Sequence, residues 1–376
     1  MRILHTGDWH VGKGIGGISR TDEHQAVLQE IATAAEEQAV DLILVAGDLF
    51  DTASPSPEAE RIVYRALLDL GRLAPVVVVP GNHDNERRLD AVAPLFESAG
   101  VRIRAFVNNA APLEITTSSG EQARIATIPW LSQRHIVKAD QLMGLQAAEH
   151  GGIYRDRLYR IVEALTAGFD QSAVNLVLAH LTIVGALHGG GERTAQTIFD
   201  YTIDAGAFPD DAHYVALGHL HRAQRMPGLC PVHYCGSPLQ LDFSDDGSEA
   251  KQVLVIEASE STPATVTEVP LSSGRRLRTL EGTLEWLESL RDNTGGDLLR
   301  VIVKEKIRVG LADEVRALFP HAVKVLVRPE LQGETAARPQ RSHNAPHELF
   351  GQYLSERDVD DPELVRLFGS LYEECA

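Results

Sequence analysis

The stretch Arg2-Ile-Leu-His-Thr-Gly-Asp-Trp-His10 decides how the rest of the chain is read. It is apolar enough to form a strand up to Thr6 and breaks at Gly7. It then sets Asp8 and His10 two residues apart, a spacing that in extended backbone sends both side chains to one face. The same order returns four times. Leu42 to Ala46 precedes Gly47-Asp-Leu-Phe-Asp51, Val76 to Val79 precedes Gly81-Asn-His-Asp84, Leu176 to Ala179 precedes His180, and Tyr214 to Leu217 precedes Gly218-His-Leu-His221. Gly7, Gly47, Gly81 and Gly218 stand just before the polar residues, where a tight turn out of a strand leaves little room for a side chain.

In open α/β sheets, loops leaving the carboxyl ends of the strands converge while helices cover the faces. Asp8, His10, Asp48, Asn82, His180, His219 and His221 are therefore expected to meet in space. Two carboxylates, an amide oxygen and four imidazoles form a donor set for two divalent cations, which need about eight to twelve donor atoms between protein, water and substrate. The nitrogen-rich mixture fits Mn2+ better than magnesium, which prefers oxygen ligands throughout. Each motif alone is weak: a His-x-His pair arises by chance, Asn82 alone reads as a turn residue, and Asp48 alone as a helix cap. Their joint occurrence in one order, each after a strand, points to a metal site and to hydrolysis of phosphate esters.

Taken together, Asp-x-His, Gly-Asp-x-x-Asp, Gly-Asn-His-Asp, His and Gly-His-x-His resemble the calcineurin-like metallophosphoesterase superfamily. The longer runs Gly7-Asp-Trp-His-Val-Gly-Lys13, Gly47-Asp-Leu-Phe-Asp-Thr52, Pro80-Gly-Asn-His-Asp84 and Gly236-Ser-Pro-Leu-Gln240 are similar to the nuclease subunits of bacterial double-strand-break processing complexes. The likeness runs over nearly the whole chain and is densest in the first 245 residues. It implies an α/β fold, a mixed β-sandwich flanked by helices in α/β/β/α layers. It also implies Asp8, His10, Asp48 and His221 around one metal ion and Asp48, Asn82, His180 and His219 around the other, with Asp48 bridging. His83 would act on the substrate phosphate or the leaving oxygen, with Asp84 orienting it. Asp51, which some archaeal relatives replace by histidine, is given no catalytic role. The implied activity is a metal-dependent DNA nuclease of repair, recombination and replication, an exonuclease on double-stranded ends and an endonuclease on single strands and hairpins. The implied partners are DNA and an SbcC-type ATPase, with a homodimer of this chain inside a heterotetramer.

Competing readings fall on particular residues. Gly7 to Gly14 fits most of a phosphate-binding P-loop but has Gly14 where Ser or Thr must follow the lysine, so ATP binding is not expected. Protein phosphatases of the same superfamily carry arginines beside the Gly-Asp and Gly-Asn-His motifs. Here Leu49, Phe50 and Asp51 follow Asp48, and Val79-Pro80 precede Gly81. A phosphomonoesterase or small-molecule phosphodiesterase, and a non-catalytic scaffold, remain as alternatives. His5, alternating with Ile3, is expected to be buried, and the glycine-rich run Gly185-Ala-Leu-His-Gly-Gly-Gly-Glu192 reads as a surface turn or a mobile lid. The three cysteines, Cys230, Cys235 and Cys375, make neither a disulfide framework nor a zinc spacing.

With 44% apolar and 23% charged residues and no long apolar run, the 376-residue chain reads as globular, cytoplasmic and without a membrane span. Met1 leads straight into a strand, without the apolar core and cleavage site of a signal peptide. The net charge of -18 is unusual for a DNA enzyme, but residues 272–330 hold 11 basic and 9 acidic side chains, beginning with Arg275-Arg-Leu-Arg278. The expected organisation is a nuclease domain over 1–271, a small α+β capping domain of β-α-β-α-β pattern over 272–330, a linker over 331–344 and a partner-binding helical pair over 345–376. Strands near 232–235, 252–256 and 265–269 are expected to complete the second sheet of the sandwich with antiparallel pairing.

Overall fold

The computed structural model describes residues 1–107, 111–132, 147–192, 202–245 and 250–328, together with Phe350, Leu354, Glu363, Leu364 and 366–368. Two six-stranded sheets pack face to face. The first runs in the order β14 (Thr262–Pro270), β13 (Gln252–Ser259), β1 (Arg2–Thr6), β2 (Leu42–Val45), β3 (Val76–Val78) and β4 (Val101–Ile103), with the last four parallel. The second runs β11 (Gln224–Met226), β12 (Val232–Tyr234), β10 (Tyr214–Gly218), β7 (Val174–His180), β6 (Gln122–Ile128) and β5 (Leu113–Thr116), with its four central strands parallel. A short parallel ladder joins β8 (Thr182–Ile183) to β9 (Thr202–Ile203).

Side-chain alternation builds the layers. Leu42, Leu44 and Ala46 point between the sheets, where they meet Leu176, Leu178 and Ala216, while Ile43 and Val45 point outward to the helices. Burial on both faces explains why β2 reads as an unbroken apolar run. The outer face of the first sheet is covered by α1 (Thr21–Glu37), α2 (Pro57–Gly71) and α3 (Glu86–Glu97), and that of the second by α4 (Ala147–Thr166). Helix α2 shows why the chain turns helical there. Ser56 caps it by accepting the Ala59 N–H at 3.2 Å, Pro57 occupies the first turn, and Ile62, Val63, Ala66, Leu67 and Leu70 form one buried stripe.

Two strand assignments differ from the sequence reading. β13 and β14 pair antiparallel as expected, but they join the first sheet beside β1, where Ile3 pairs with Ile256. β12 does enter the second sheet, yet it lies parallel to β10 and only its other neighbour, β11, is antiparallel. Alternation alone cannot distinguish these edges, because Val253 and Val255 serve the outward face as readily as Leu254 and Ile256 serve the inward one.

Residues 277–328 form a separate parallel sheet, β15 (Leu277–Gly282), β16 (Leu298–Lys304) and β17 (Ala322–Arg328), crossed by α5 (Leu284–Ser289) and α6 (Leu311–Leu318) around Leu287, Val301, Val315 and Phe319. Helix α5 stops at Ser289, short of Arg291, and a single 3-10 turn follows. This unit touches the sandwich through Ile15, Ile18, Leu277, Leu298, Phe243 and Val323. The linker over 331–344 lies outside the described residues, as does most of 345–376; Phe350 and Phe368 stack there at 4.3 Å. Among the described residues, no helix is long and apolar enough to cross a membrane.

Candidate metal centre

Parallel register in both sheets brings five strand ends to one cleft. The β1–β2 pairing continues past the strands: Asp8 N–H donates to Gly47 O and His10 N–H to Asp48 O, both at 2.9 Å. Across the sandwich, β7 and β10 pair His180 with Gly218, so His219 and His221 leave the sheet beside His180. Asp8, His10, Asp48, His180, His219 and His221 are all buried, and Asn82 is half-buried.

The backbone here is strained. Asp8, His10 and Asp48 sit at φ of 50°, 46° and 50°, and His219 at 101°; among the described non-glycine residues only Ala39 joins them in this region. Each such residue costs on the order of 1–3 kcal/mol unless its surroundings enforce it. Two glycines make the convergence possible. Gly47 has φ +86°, and a Cβ there would strike the His180 ring; a Cβ on Gly218 would overlap the carbonyl oxygen of Ala46. That same carbonyl accepts the His180 Nδ1–H at 2.7 Å, which turns Nε2 toward Asn82 Oδ1 at 3.0 Å and Asp48 Oδ2 at 3.5 Å.

Potential ligand atoms of Asp8, His10 and His221 lie within 4.8 Å of one another, and so do those of Asp48, His180 and His219. Asn82 Oδ1 belongs with the second group, 2.7 Å from His219 Nδ1. Asp48 lies between the groups, since its Oδ2 is also 3.4 Å from His10 Nε2. His221 gives Nδ1–H to the Gly190 carbonyl at 2.7 Å and presents Nε2 to His10 Nε2 at 3.0 Å. All seven residues singled out from sequence are thus gathered in one place.

The electrostatics fit a cation. Burial would keep Asp48 neutral, but the His180 charge and hydrogen bonds from His10 and His180 outweigh it and hold the carboxyl well below its usual range. Burial likewise opposes charge on His10 and His180, yet the carboxylates around them prevail and raise both to about 9. Burial, with the charge of Asp48 adding to it, raises Asp8 to about 7. His221 is pushed down to about 3 by burial and by His10, and His219 falls well below its ordinary value for like reasons. His219 and His221, neutral beside buried carboxylates, are in the state that a divalent cation requires, whereas His10 and His180 must first give up a proton to bind one.

His83 stands at the rim of this cluster, its ring 4.6 Å from that of His10. Its backbone N–H donates to Asp48 Oδ1 at 2.8 Å and its Nδ1–H to the Asp51 carbonyl at 2.7 Å. The expectation that Asp84 orients His83 is corrected. Asp84 accepts the N–H groups of Leu49, Phe50 and Gly81 at 2.9–3.2 Å and so ties the Asp48 turn to the Asn82 turn. The orienting acceptor is main chain, which no side-chain pattern announces.

Asp51, given no catalytic role from sequence, has its carboxylate 3.4 Å from His10 Nδ1 and 3.1 Å from Lys13 Nζ, and Trp130, which sequence reading passed over, stacks its ring on His219 at 4.9 Å. Glu192 was missed too, although it closes the glycine-rich run. The Asp51 position within Gly-Asp-x-x-Asp was the available signal; for Trp130 and Glu192 there was none. His5 is fully buried and bonds the Tyr214 hydroxyl at 3.0 Å, and Cys230 and Cys235 are buried free thiols.

Residues 1–223 match the calcineurin-like phosphoesterase family model. Over its length the chain is 33% identical to the D subunit of the SbcCD nuclease from Bacillus subtilis, covering 98% of this chain and 97% of that one. It is 30% identical to the corresponding SbcCD nuclease chain from Escherichia coli K12, at 98% and 96% coverage. The chain of the same name from Rhodobacter capsulatus is 32% identical over 70% of this chain and 68% of its own. Among solved structures, TT1561 of Thermus thermophilus aligns with 72% of this chain and 98% of its own at 14% identity and a TM-score of 0.38.

Proposed function

This chain belongs to the calcineurin-like phosphoesterases and, within them, to the family of the SbcCD nuclease's D subunit, and from that premise we propose that it is a two-metal DNA nuclease. The strongest support is the meeting of seven donor residues from five strand ends in one buried cleft. Asp8, His10 and His221 would hold one divalent ion and Asn82, His180 and His219 the other, with Asp48 shared. Bound there, the ions would acidify water and offset the charge that builds on the phosphate oxygens. Four imidazoles with two carboxylates favour Mn2+.

The chain's own residues supply the rest. Strained backbone at Asp8, His10 and Asp48 fixes the donors before substrate arrives, so no reorganisation is needed at the moment of reaction. With His83 held through Nδ1, Nε2 is the atom that would protonate the leaving oxygen or steady the phosphate. The Asp84 carboxylate keeps the two flanking turns in register.

The division into a nuclease domain over 1–271, a DNA-contacting cap over 272–330, a linker and a partner-binding segment over 345–376 is part of the same proposal. So is assembly with an SbcC-type ATPase as a homodimer within a heterotetramer, in cytoplasmic DNA repair and recombination. A chain of net charge -18 needs a basic partner to hold DNA firmly.

The test is digestion of end-labelled duplex and of a single-stranded oligonucleotide with Mn2+ or Mg2+, with and without the ATPase, beside para-nitrophenyl phosphate. Manganese-dependent cleavage of DNA is expected, with much weaker action in magnesium. Preference for the small ester would make the chain a phosphomonoesterase, and inactivity on every substrate would make it a scaffold.

A further inference from the structure

The glycine-rich run Gly185 to Glu192 is strapped down at its near end and wrapped around a side chain at the other. Leu187 N–H donates to Gln224 Oε1 at 2.8 Å, and Gln224 Nε2 returns a bond to the Leu187 carbonyl at 2.7 Å, which binds the run to β11. At the far end, the Glu192 carboxylate, with a side chain only 4% exposed, collects three backbone N–H groups: Gly189 at 2.7 Å, Gly190 at 2.8 Å and His221 at 3.1 Å. The Gly190 carbonyl then accepts the His221 Nδ1–H.

The glycines serve proximity here. A Cβ on Gly189 would lie 2.5 Å from Arg222 N and 2.6 Å from the His221 carbonyl carbon, and one on Gly190, at φ +96°, would strike Ser244 Oγ. A backbone that must pass this close to His221 excludes side chains, so the run is a cradle and not the lid that its composition allowed.

We propose that Glu192 is a positioning residue for His221: by clamping Gly189, Gly190 and the His221 main chain, it holds the Gly190 carbonyl where it fixes the His221 tautomer and commits Nε2 to the ion beside Asp8 and His10. This rests on the ligand reading above. The physical reason is general: an acceptor on the far ring nitrogen sets the orientation and basicity of a metal-binding histidine, and losing such support costs roughly 10–100-fold in metal affinity. Without the carboxylate, three part-buried N–H groups lose their acceptor and the turn that carries the Gly190 carbonyl loses its clamp.

Calorimetric titration of the metal-stripped full chain with Mn2+ tests this in wild type, Glu192→Ala, Glu192→Gln and His221→Ala. Wild type is expected to show two sites. Glu192→Ala should weaken one of them roughly 10–100-fold and leave the other, which doubles as proof of folding. Glu192→Gln should fall between, because an amide oxygen at Oε1 keeps the Gly189 and His221 bonds and forfeits only the one to Gly190. Glu192→Ala with both sites at wild-type affinity, or with both weakened alike, overturns the proposal. His221→Ala with both sites intact would instead overturn the ligand reading; a site lost in His221→Ala but kept in Glu192→Ala refutes the positioning role alone.

Discussion

Replacing His83 by alanine should separate chemistry from architecture. The backbone N–H of residue 83 bonds Asp48 Oδ1 whatever the side chain, so the shared carboxylate keeps that restraint in the variant. What disappears is the imidazole, with its bond to the Asp51 carbonyl and its edge contact with His10. The lost hydrogen bond is worth about 1 kcal/mol of stability. Removing a proton donor or electrostatic stabiliser from the reacting phosphate lowers turnover by roughly two to four orders of magnitude. That is about 3–5.5 kcal/mol in activation free energy. Turnover of a labelled oligonucleotide at saturating Mn2+ should therefore collapse while urea unfolding shifts little and calorimetry still counts two ions. The rival is specific: His83, His10 and Asp48 bring potential ligand atoms within 4.8 Å of one another. Loss of one ion from the variant would make His83 a ligand, and undiminished turnover would remove it from the reaction.

Gly218→Ala puts a Cβ onto the Ala46 carbonyl that orients His180, so it should destabilise the fold by about 1–3 kcal/mol and weaken Mn2+ binding. Wild-type values in both urea unfolding and calorimetry would refute that packing argument. Arg20→Ala empties a buried position where the guanidinium bonds Glu23 and the Gln240 carbonyl; Glu23 keeps Arg275 as its partner, so the variant should lose roughly 1–3 kcal/mol and expose the stretch near Arg275 to limited proteolysis, and an unchanged cleavage pattern would count against it. In the metal-free protein His10 and His180 are raised to about 9, so both are charged at neutral pH and must lose their protons to bind an ion. Mn2+ affinity should rise with pH and level off near 9, and calorimetry in buffers of different ionisation enthalpy should register proton release; affinity flat between pH 6 and 9 would contradict it.

The site was legible because its residues follow strand ends in a repeated order, each after an apolar run. Asp8 with His10 and His219 with His221 were found from a two-residue spacing after a glycine, but the turns that aim them lie past the strands, with Asp8, His10 and His219 at positive φ that no extended period describes. Supports that act through main-chain atoms were hidden: the Asp51 carbonyl behind His83, the Gly190 carbonyl behind His221 and the Ala46 carbonyl behind His180 leave no trace in residue identity. Asp84 shows the converse, a residue whose motif suggested chemistry and whose carboxylate holds backbone. Strand placement failed for the same reason at larger scale. β13 and β14 carry the right period, but which sheet receives them depends on a pairing with β1 at the far end of the chain, as in Ile3 with Ile256.

Strain and charge in this cleft act in one direction. Four donors with unfavourable φ and a group of buried carboxylates and imidazoles are each costly in the metal-free chain. Burial, with the Asp48 charge adding to it, pushes Asp84 up to about 6 and Asp8 to about 7, so the cleft resists a further anion beside Asp48. A divalent cation removes that repulsion and gives the strained donors a partner, so metal binding and folding stability are coupled by mass action. At a hundredfold excess over its dissociation constant, one ion adds about 2.7 kcal/mol. The cleft therefore gains rigidity from the same ions that would supply its chemistry, and the overall negative charge of the chain, by drawing divalent cations toward it, works for the site even as it works against DNA.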